Sequence, residues 1–257
     1  MKHTLRSIGS KVGSILFALG IMMPAVSQTV EAEQFDIPQL SSIPDFPQPF
    51  GYKSTWLAVR TENTKAVFDA LELSEEQTAN WQTGVQFSYN RDFKENIVPV
   101  FVAPPVDGWT LVLTGLGLTS DSEENTAYLE RLMGQLSHQF GECQYFGSYR
   151  VVGYLAWYKA IDGMVARGFS FADGSLFANS GPMTSAELDA GLFDIAGMTE
   201  EVLWEAVQSV EDEGKTNFLF NEETPMKIAT GWSVNPLSLG VSEGIEPATG
   251  LAGFLVK

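Results

Sequence analysis

Apolar and polar positions alternate in a pattern that predicts strand, helix, strand, strand in the first half of the chain. Residues 55–60 are rich in β-branched and aromatic side chains and end in a polar turn. Residues 64–73 place apolar side chains at helical spacing. Residues 97–103 and 109–113 are apolar runs separated by Asp107-Gly108, a pair that favours a tight hairpin turn.

A second helix has the clearest signals. Ser120 and Glu123 stand at the spacing of a capping box before the helix, and Gly141 is placed to end the helix in a left-handed conformation. Residues 142–150 then return as a strand. The apolar stripe that this helix would bury consists of Leu129, Leu132, Met133, Leu136 and Phe140.

These elements follow the order β-α-β-β-α-β, which is typical of the ferredoxin-like arrangement. We therefore predict an α+β fold in which two helices cover one face of an antiparallel sheet. A β-hairpin would extend this core, and additional helices would follow at the C-terminal end.

The hairpin is predicted over residues 151–172, with a two-residue turn at Asp162-Gly163. Counting outward from that turn pairs Ile161 with Met164, Trp157 with Gly168, Tyr158 with Arg167 and Tyr154 with Phe171. This register predicts a cation–π contact between Tyr158 and Arg167. It also predicts that Trp157 covers the bare backbone of Gly168.

Weaker signals follow. Thr184 and Glu187 predict a capped short helix, Thr199 predicts the start of another helix, and Thr224-Pro225 resembles a third helix start. The apolar end at residues 251–256 is expected to dock as a strand.

The N-terminus has the pattern of a cleavable secretion signal, assigned to residues 1–32. A basic start precedes an apolar run at residues 12–23, and small residues follow at two cleavage positions, after Ser27 or Ala32. A membrane span needs about 20 apolar residues, which makes a retained anchor the weaker alternative; a buried N-terminal helix is another. Residues 33–51 contain four prolines and predict an extended arm that drapes over a single domain at 52–257.

The chain carries 15 basic and 32 acidic side chains, a net charge of −17. Without residues 1–32 the net charge would be about −19. Such a charge repels phosphate backbones and anionic lipids, so we expect neither nucleic-acid binding nor membrane insertion after signal cleavage. An exported protein whose only cysteine is Cys143 can form no internal disulfide.

Few side chains could support familiar catalytic chemistry. His138 is the only histidine beyond the signal, and we expect it on the solvent side of its helix. One histidine and one cysteine are too few for a structural zinc site, and the acidic runs lack the spaced oxygens of an EF-hand. We expect no cofactor and no metal. A pair of catalytic carboxylates stays open, without a nominated pair.

Aromatic side chains are concentrated around the predicted sheet. If the face away from the helices were uncovered, these residues would form a platform for a ligand or a protein partner. The alternative is that the downstream helices cover that face. The candidate binding residues are Trp109, Tyr145, Tyr149, Tyr154, Trp157, Tyr158 and Arg167.

Three segments resemble a family of uncharacterised bacterial proteins. They are PPVDGWTLV at residues 104–112, FGECQYF at 140–146 and RVVGYLAW at 150–157. The resemblance covers about residues 51–235. It implies a bacterial source and a periplasmic or secreted location, and it implies no activity.

Two main hypotheses follow. The first is an exported, acidic, non-enzymatic binding protein with a protein or small-molecule partner, including an inhibitor-like protein that meets a basic partner. The second is a hydrolase that acts on an extracytoplasmic polymer with carboxylates alone, which would need two carboxyl groups of different pKa in one cleft.

Overall fold

Nine strands form one antiparallel sheet. The computed structural model describes residues 39–90, 96–212, 221–241 and 245–257. The strands are β1 (Ser54–Val59), β2 (Ser74–Asn80), β3 (Ile97–Val102), β4 (Thr110–Leu113), β5 (Glu142–Tyr149), β6 (Tyr154–Ile161), β7 (Met164–Ala172), β8 (Ser175–Ser180) and β9 (Thr249–Val256). Their order across the sheet is β2-β9-β3-β4-β1-β5-β6-β7-β8.

Helices cover both faces of this sheet. They are α1 (Thr64–Ala70), α2 (Trp81–Ser88), α3 (Glu123–Phe140), α4 (Ser185–Asp189), α5 (Glu200–Asp212) and α6 (Thr224–Trp232). Because neighbouring strand residues point to opposite faces, Leu57 packs into a core with α1 and α3. Trp56 packs into a second core with α2, α4, α5 and α6.

The α+β class is confirmed, but the ferredoxin-like core is not. The sheet is larger than predicted, and β2 and α2 stand between the first helix and the next predicted strand. The C-terminal strand β9 docks as expected, between β2 and β3 in the interior of the sheet.

Helix signals located α3 correctly, with one correction at its start. The capping side chain is Ser122, whose hydroxyl accepts a hydrogen bond from the backbone N–H of Asn125. Ser120 lies two residues earlier, and its hydroxyl is buried in the core. Gly141 ends the helix with φ of 86°, as predicted.

The later helix starts are largely as predicted. Thr184 and Glu187 form a reciprocal capping box at α4, and Thr199 precedes α5, where its hydroxyl accepts from the Val202 N–H at 3.5 Å. Helix α6 begins at Thr224, but the capping position is Glu223, without a side-chain cap.

The β6–β7 hairpin turns at Asp162-Gly163, and Ile161 pairs with Met164 as predicted. The rest of the predicted register is wrong, because a β-bulge next to Lys159 and Ala160 shifts the pairing by one residue. The actual pairs are Lys159 with Arg167, Tyr158 with Gly168, Trp157 with Phe169 and Leu155 with Phe171.

Two predicted contacts fail as a result of the bulge. Arg167 does not stack on Tyr158, and Gly168 is covered by the Tyr158 ring rather than by Trp157. A one-residue shift in register moves a side chain to the opposite face of the sheet. Arg167 therefore points to the α4 side of the sheet, where it contacts Glu187.

The described part of the arm, from residue 39 onward, packs on the domain. Asp45 accepts hydrogen bonds from the N–H groups of Trp81 and Gln82 at the start of α2, where a carboxylate is favoured by the helix dipole. Phe50 is buried in the core. The proposed signal at 1–32 and the arm residues 33–38 lie outside the described residues.

Candidate functional site

The predicted aromatic platform is covered. Six of its seven residues are buried, and Tyr149 is half-buried; the six are Trp109, Tyr145, Tyr154, Trp157, Tyr158 and Arg167. Trp109 and Trp157 lie in the core beneath α6, while the three buried tyrosines lie on the α3 side. The structure therefore agrees with the alternative in which helices cover the aromatic side chains.

Two of these tyrosines, Tyr145 and Tyr154, form a buried hydroxyl network beside the N-terminus of α3, whereas the buried Tyr158 hydroxyl has no hydrogen-bond partner among the described residues. The Tyr145 and Tyr154 hydroxyls are 2.7 Å apart, and the Tyr154 hydroxyl accepts from the Ser120 N–H at 3.0 Å. Ser170 donates to the Ser120 carbonyl at 2.6 Å. Burial raises the pKa of Tyr154 and raises that of Tyr158 to about 12. These phenols therefore stay protonated at neutral pH and stabilise the interior.

On the opposite face, Arg167 and Glu187 form a buried ion pair. Their side chains are 1% and 0% exposed, and Arg167 Nε donates to Glu187 Oε1 at 2.8 Å. The same carboxylate accepts from the Trp157 indole at 2.8 Å, and its Oε2 accepts from the Thr184 N–H at 2.8 Å. Because both charges are enclosed and fully hydrogen-bonded, this cluster has a structural role.

Cys143 does not provide an activated nucleophile. Cys143 is buried, and burial raises the pKa of its thiol well above its ordinary value, so the thiolate needed for attack does not form at neutral pH. His138 is exposed near the C-terminal end of α3, as predicted. It does not contact the buried thiol.

Two carboxyl groups have shifted pKa values, but they lie on opposite sides of the sheet. Burial raises the pKa of Glu130, which is on α3. Burial also acts to raise that of Glu142, but hydrogen bonds from Lys159, Gln144 and Arg60 outweigh it and lower the pKa. Glu142 meets Gln144, which in turn donates to the Trp232 carbonyl at the end of α6. The pair cannot act on one substrate.

Glu142 is also the centre of a charged and aromatic cluster at the start of β5. Lys159 Nζ lies 2.8 Å from one carboxylate oxygen and Arg60 Nη1 lies 3.3 Å from the other. Lys159 lies over the Trp232 ring and Arg60 over the Trp109 ring. The charged groups of these side chains are paired with one another and with the two rings. This pairing favours a role in holding α6 against the sheet.

In the part of the chain that the structure describes, no three metal-ligating side chains of the His, Cys, Asp and Glu types converge. Among the same residues, every helix is too short or too polar to cross a bilayer.

The part of the chain that the structure describes has a groove beside α3, which we call the Tyr128 groove. It consists of two hollows that share Tyr128 as a lining residue. The first has a volume of 650 Å³ and lies between α3 and the end of α1. The second has a volume of 710 Å³ and lies between the start of α3 and the end of the chain at Lys257.

The first hollow of the groove has an apolar floor, and both hollows have polar walls. Leu71, Leu132 and Leu255 are nearly buried beneath the first hollow, and Val256 stands at its rim, 61% exposed. Exposed Glu72 lines the first hollow and exposed Glu124 the second.

Two features of the fold create this groove. Helix α1 ends after 7 residues, whereas α3 continues for 18, so the short helix leaves part of the sheet between them uncovered. A second stripe on α3, next to its buried stripe, faces the gap because side chains three or four residues apart share a helix face. This second stripe consists of Glu124, Tyr128, Gln135 and Gln139.

Sequence reasoning missed the groove entirely. Tyr128 was not among the candidate residues, since it stands outside the buried stripe of α3. Its environment is distinctive: burial raises the pKa of its hydroxyl, while the nearby guanidinium of Arg131 acts to lower it. Arg131 lies 5.4 Å from the centre of the Tyr128 ring.

Comparison with known proteins adds no identification: no protein-family model, no curated protein and no solved structure matches this chain.

Proposed function

We propose that this protein is a non-enzymatic binding protein that takes a partner in the Tyr128 groove. The single observation that carries the proposal is the groove itself, two adjoining hollows with polar walls, an apolar floor in the first and one aromatic side chain shared between them. Ligand sites are typically concave surfaces of this composition.

The hydrolase alternative receives no comparable support. It calls for two carboxyl groups of different pKa in one cleft, and the two shifted carboxyls, Glu130 and Glu142, are separated by the sheet.

Two further parts of the proposal rest on the sequence. The signal pattern at residues 1–32 and the resemblance to bacterial proteins support export to the periplasm or the medium. The adjacent strands β3-β4-β1-β5, with α1 and α3 on one face, support a ferredoxin-like core within the larger sheet.

The test is affinity capture from the periplasm or medium of the producing cell, with the purified protein as bait. We expect one stoichiometric partner, and we expect its recovery to fall when the groove is altered by Tyr128→Ala with Val256→Ser. The matched control is Met164→Ser, because Met164 at the β6–β7 turn is also an exposed apolar residue, 73% exposed against 61% for Val256.

Equal recovery with wild-type and groove variant would show that the partner binds elsewhere and would refute the proposed site. Recovery of no partner, together with hydrolysis of glycans or esters by the pure protein, would favour the hydrolase.

A further inference from the structure

We propose that the occupant of the Tyr128 groove is a positively charged segment of a partner protein. This inference rests on the proposed function and adds the chemistry of the partner to it. The argument has three parts, namely the charges along the groove, the charge of the whole chain and the dimensions of the groove.

The rims of the groove carry more acidic than basic side chains. Glu72 lines the first hollow, and Asp121 and Glu124 line the second. Among the described lining residues, Lys257 is the one lysine, and no arginine is present. A cationic segment would therefore find carboxylates along both hollows.

One of these carboxylates is held in a fixed position. Asp121 Oδ1 accepts hydrogen bonds from the Thr119 hydroxyl at 2.8 Å and from the Asn125 amide at 2.9 Å. An acceptor that is already fixed loses little conformational entropy when a cation binds, which favours recognition of a lysine or arginine.

The charge of the whole chain acts in the same direction. Acidic side chains outnumber basic ones by 32 to 15, so an acidic partner would be repelled and a basic one would be attracted over a distance. Complementary charge of this kind raises association rates and excludes partners of the wrong sign.

The dimensions and floor of the groove suit a polypeptide segment. The α3 side chains along it run from Glu124 to Gln139, which at 1.5 Å per residue is about 22 Å. That length accepts about 15 residues of helix or about seven residues of extended chain. The apolar floor at Leu132 and Leu255 would hold an apolar side chain of the segment, beside the basic residues that meet the rims.

The test uses three fluorescein-labelled peptides of about 14 residues with the same leucine pattern. Their polar positions are all lysine, all glutamine or all glutamate, and binding to the purified protein is followed by fluorescence anisotropy. We expect the lysine peptide to bind about ten-fold more tightly than the glutamine peptide, and we expect no binding of the glutamate peptide.

Two charge variants separate the groove from the general acidity of the protein. Glu72→Gln with Glu124→Gln removes two exposed charges at the groove. Glu201→Gln with Glu205→Gln removes two exposed charges on α5, on the other face of the sheet. We expect the groove variant to weaken binding of the lysine peptide about three- to ten-fold and the α5 variant to weaken it less than about two-fold.

Three outcomes would overturn the inference. They are equal weakening by the two charge variants, equal binding of the lysine and glutamine peptides, and binding of none of the peptides. In each case the capture experiment still reports separately on the proposed function, because loss of the natural partner on Tyr128→Ala with Val256→Ser does not depend on charge.

Discussion

Arg167 and Glu187 show how a single residue can be misassigned when its register is wrong. The sequence predicted a cation–π contact between Arg167 and Tyr158 and placed both among the candidate binding residues. The bulge in β7 places it instead beneath α4, where its guanidinium meets a carboxylate that also accepts from Trp157 and from Thr184. An isolated glycine within a strand, such as Gly168, can indicate a bulge, but it does not fix which residue is the extra one.

We predict that Glu187→Gln strongly destabilises the protein. The change leaves the buried Arg167 charge without its counter-charge, which typically costs about 3–5 kcal/mol. Urea unfolding should show this loss in the free energy of unfolding, whereas Glu201→Gln, at an exposed position on α5, should change it by less than about 0.5 kcal/mol. A loss below about 1 kcal/mol for Glu187→Gln would show that the pair is not enclosed as described.

Two buried serines offer a matched comparison of hydroxyl groups. The Ser148 hydroxyl is buried without a hydrogen-bond partner among the described residues, whereas the Ser170 hydroxyl is within hydrogen-bond distance of the Ser120 carbonyl and the Ser120 hydroxyl. We predict that Ser148→Ala is neutral or raises the melting temperature. Ser170→Ala should lower the free energy of unfolding by about 1–3 kcal/mol. Thermal unfolding of both variants measures this difference, and equal losses of stability would contradict the prediction.

At the scale of elements, sequence signals worked where an element has a sharp boundary or a clear apolar face. The long helix α3, with its terminal Gly141, was predicted on such signals, as was the turn at Asp162-Gly163. Strand β2 was missed because its first five residues are exposed and polar at the edge of the sheet, where charged side chains discourage pairing with other chains.

Helix α2 could have been predicted. Asn80 caps it by accepting from the Thr83 N–H, and Trp81 and Phe87 are buried along it. The capping signal was present in the sequence, but the acidic residues before it suggested a loop. The groove could not be predicted from such signals, because it depends on the gap that the short helix α1 leaves beside α3 in the folded structure.

The close contact between β6 and β7 at Gly168 allows the register of the hairpin to be tested. A Cβ atom at Gly168 would lie 2.9 Å from carbon atoms of the Tyr158 ring. We predict that Gly168→Ala forces the hairpin to shift and costs about 1–3 kcal/mol. Gly240→Ala is the control, because a Cβ there meets no atom within 4 Å. Chemical denaturation measures both variants, and a neutral Gly168→Ala would exclude the register described here.

For the whole molecule, two layers of helices around one sheet explain why aromatic content was a poor guide to function. A sheet covered on both faces buries two sets of side chains, and this chain uses its tryptophans on one side and several tyrosines on the other. The Tyr128 groove lies where the helices leave the sheet open, and polar side chains define most of its walls.

The two shifted carboxyls make the stability of the molecule depend on pH in opposite directions. The folded-state pKa of Glu142 lies below its ordinary value of 4.5, so its stabilisation is present above about pH 4.5 and is lost as the pH falls through the lower value. The pKa of Glu130 lies above 4.5, so its favourable contribution is present below about pH 4.5 and is lost as the pH rises.

Replacement by glutamine should therefore have opposite effects at neutral pH. We predict that Glu142→Gln lowers the free energy of unfolding by about 1–3 kcal/mol at about pH 7, because it removes charge-assisted hydrogen bonds from Lys159 and Arg60. Glu130→Gln should raise it, because a neutral amide avoids the cost of a partly buried charge. Urea unfolding at about pH 7 and pH 4 measures both. At about pH 4 the Glu130 effect should shrink because its native carboxyl is protonated, and the Glu142 effect should begin to shrink because the carboxyl of the unfolded chain takes up a proton below its ordinary pKa. A shift of the same sign for both variants at about pH 7 would contradict the assignment of these two environments.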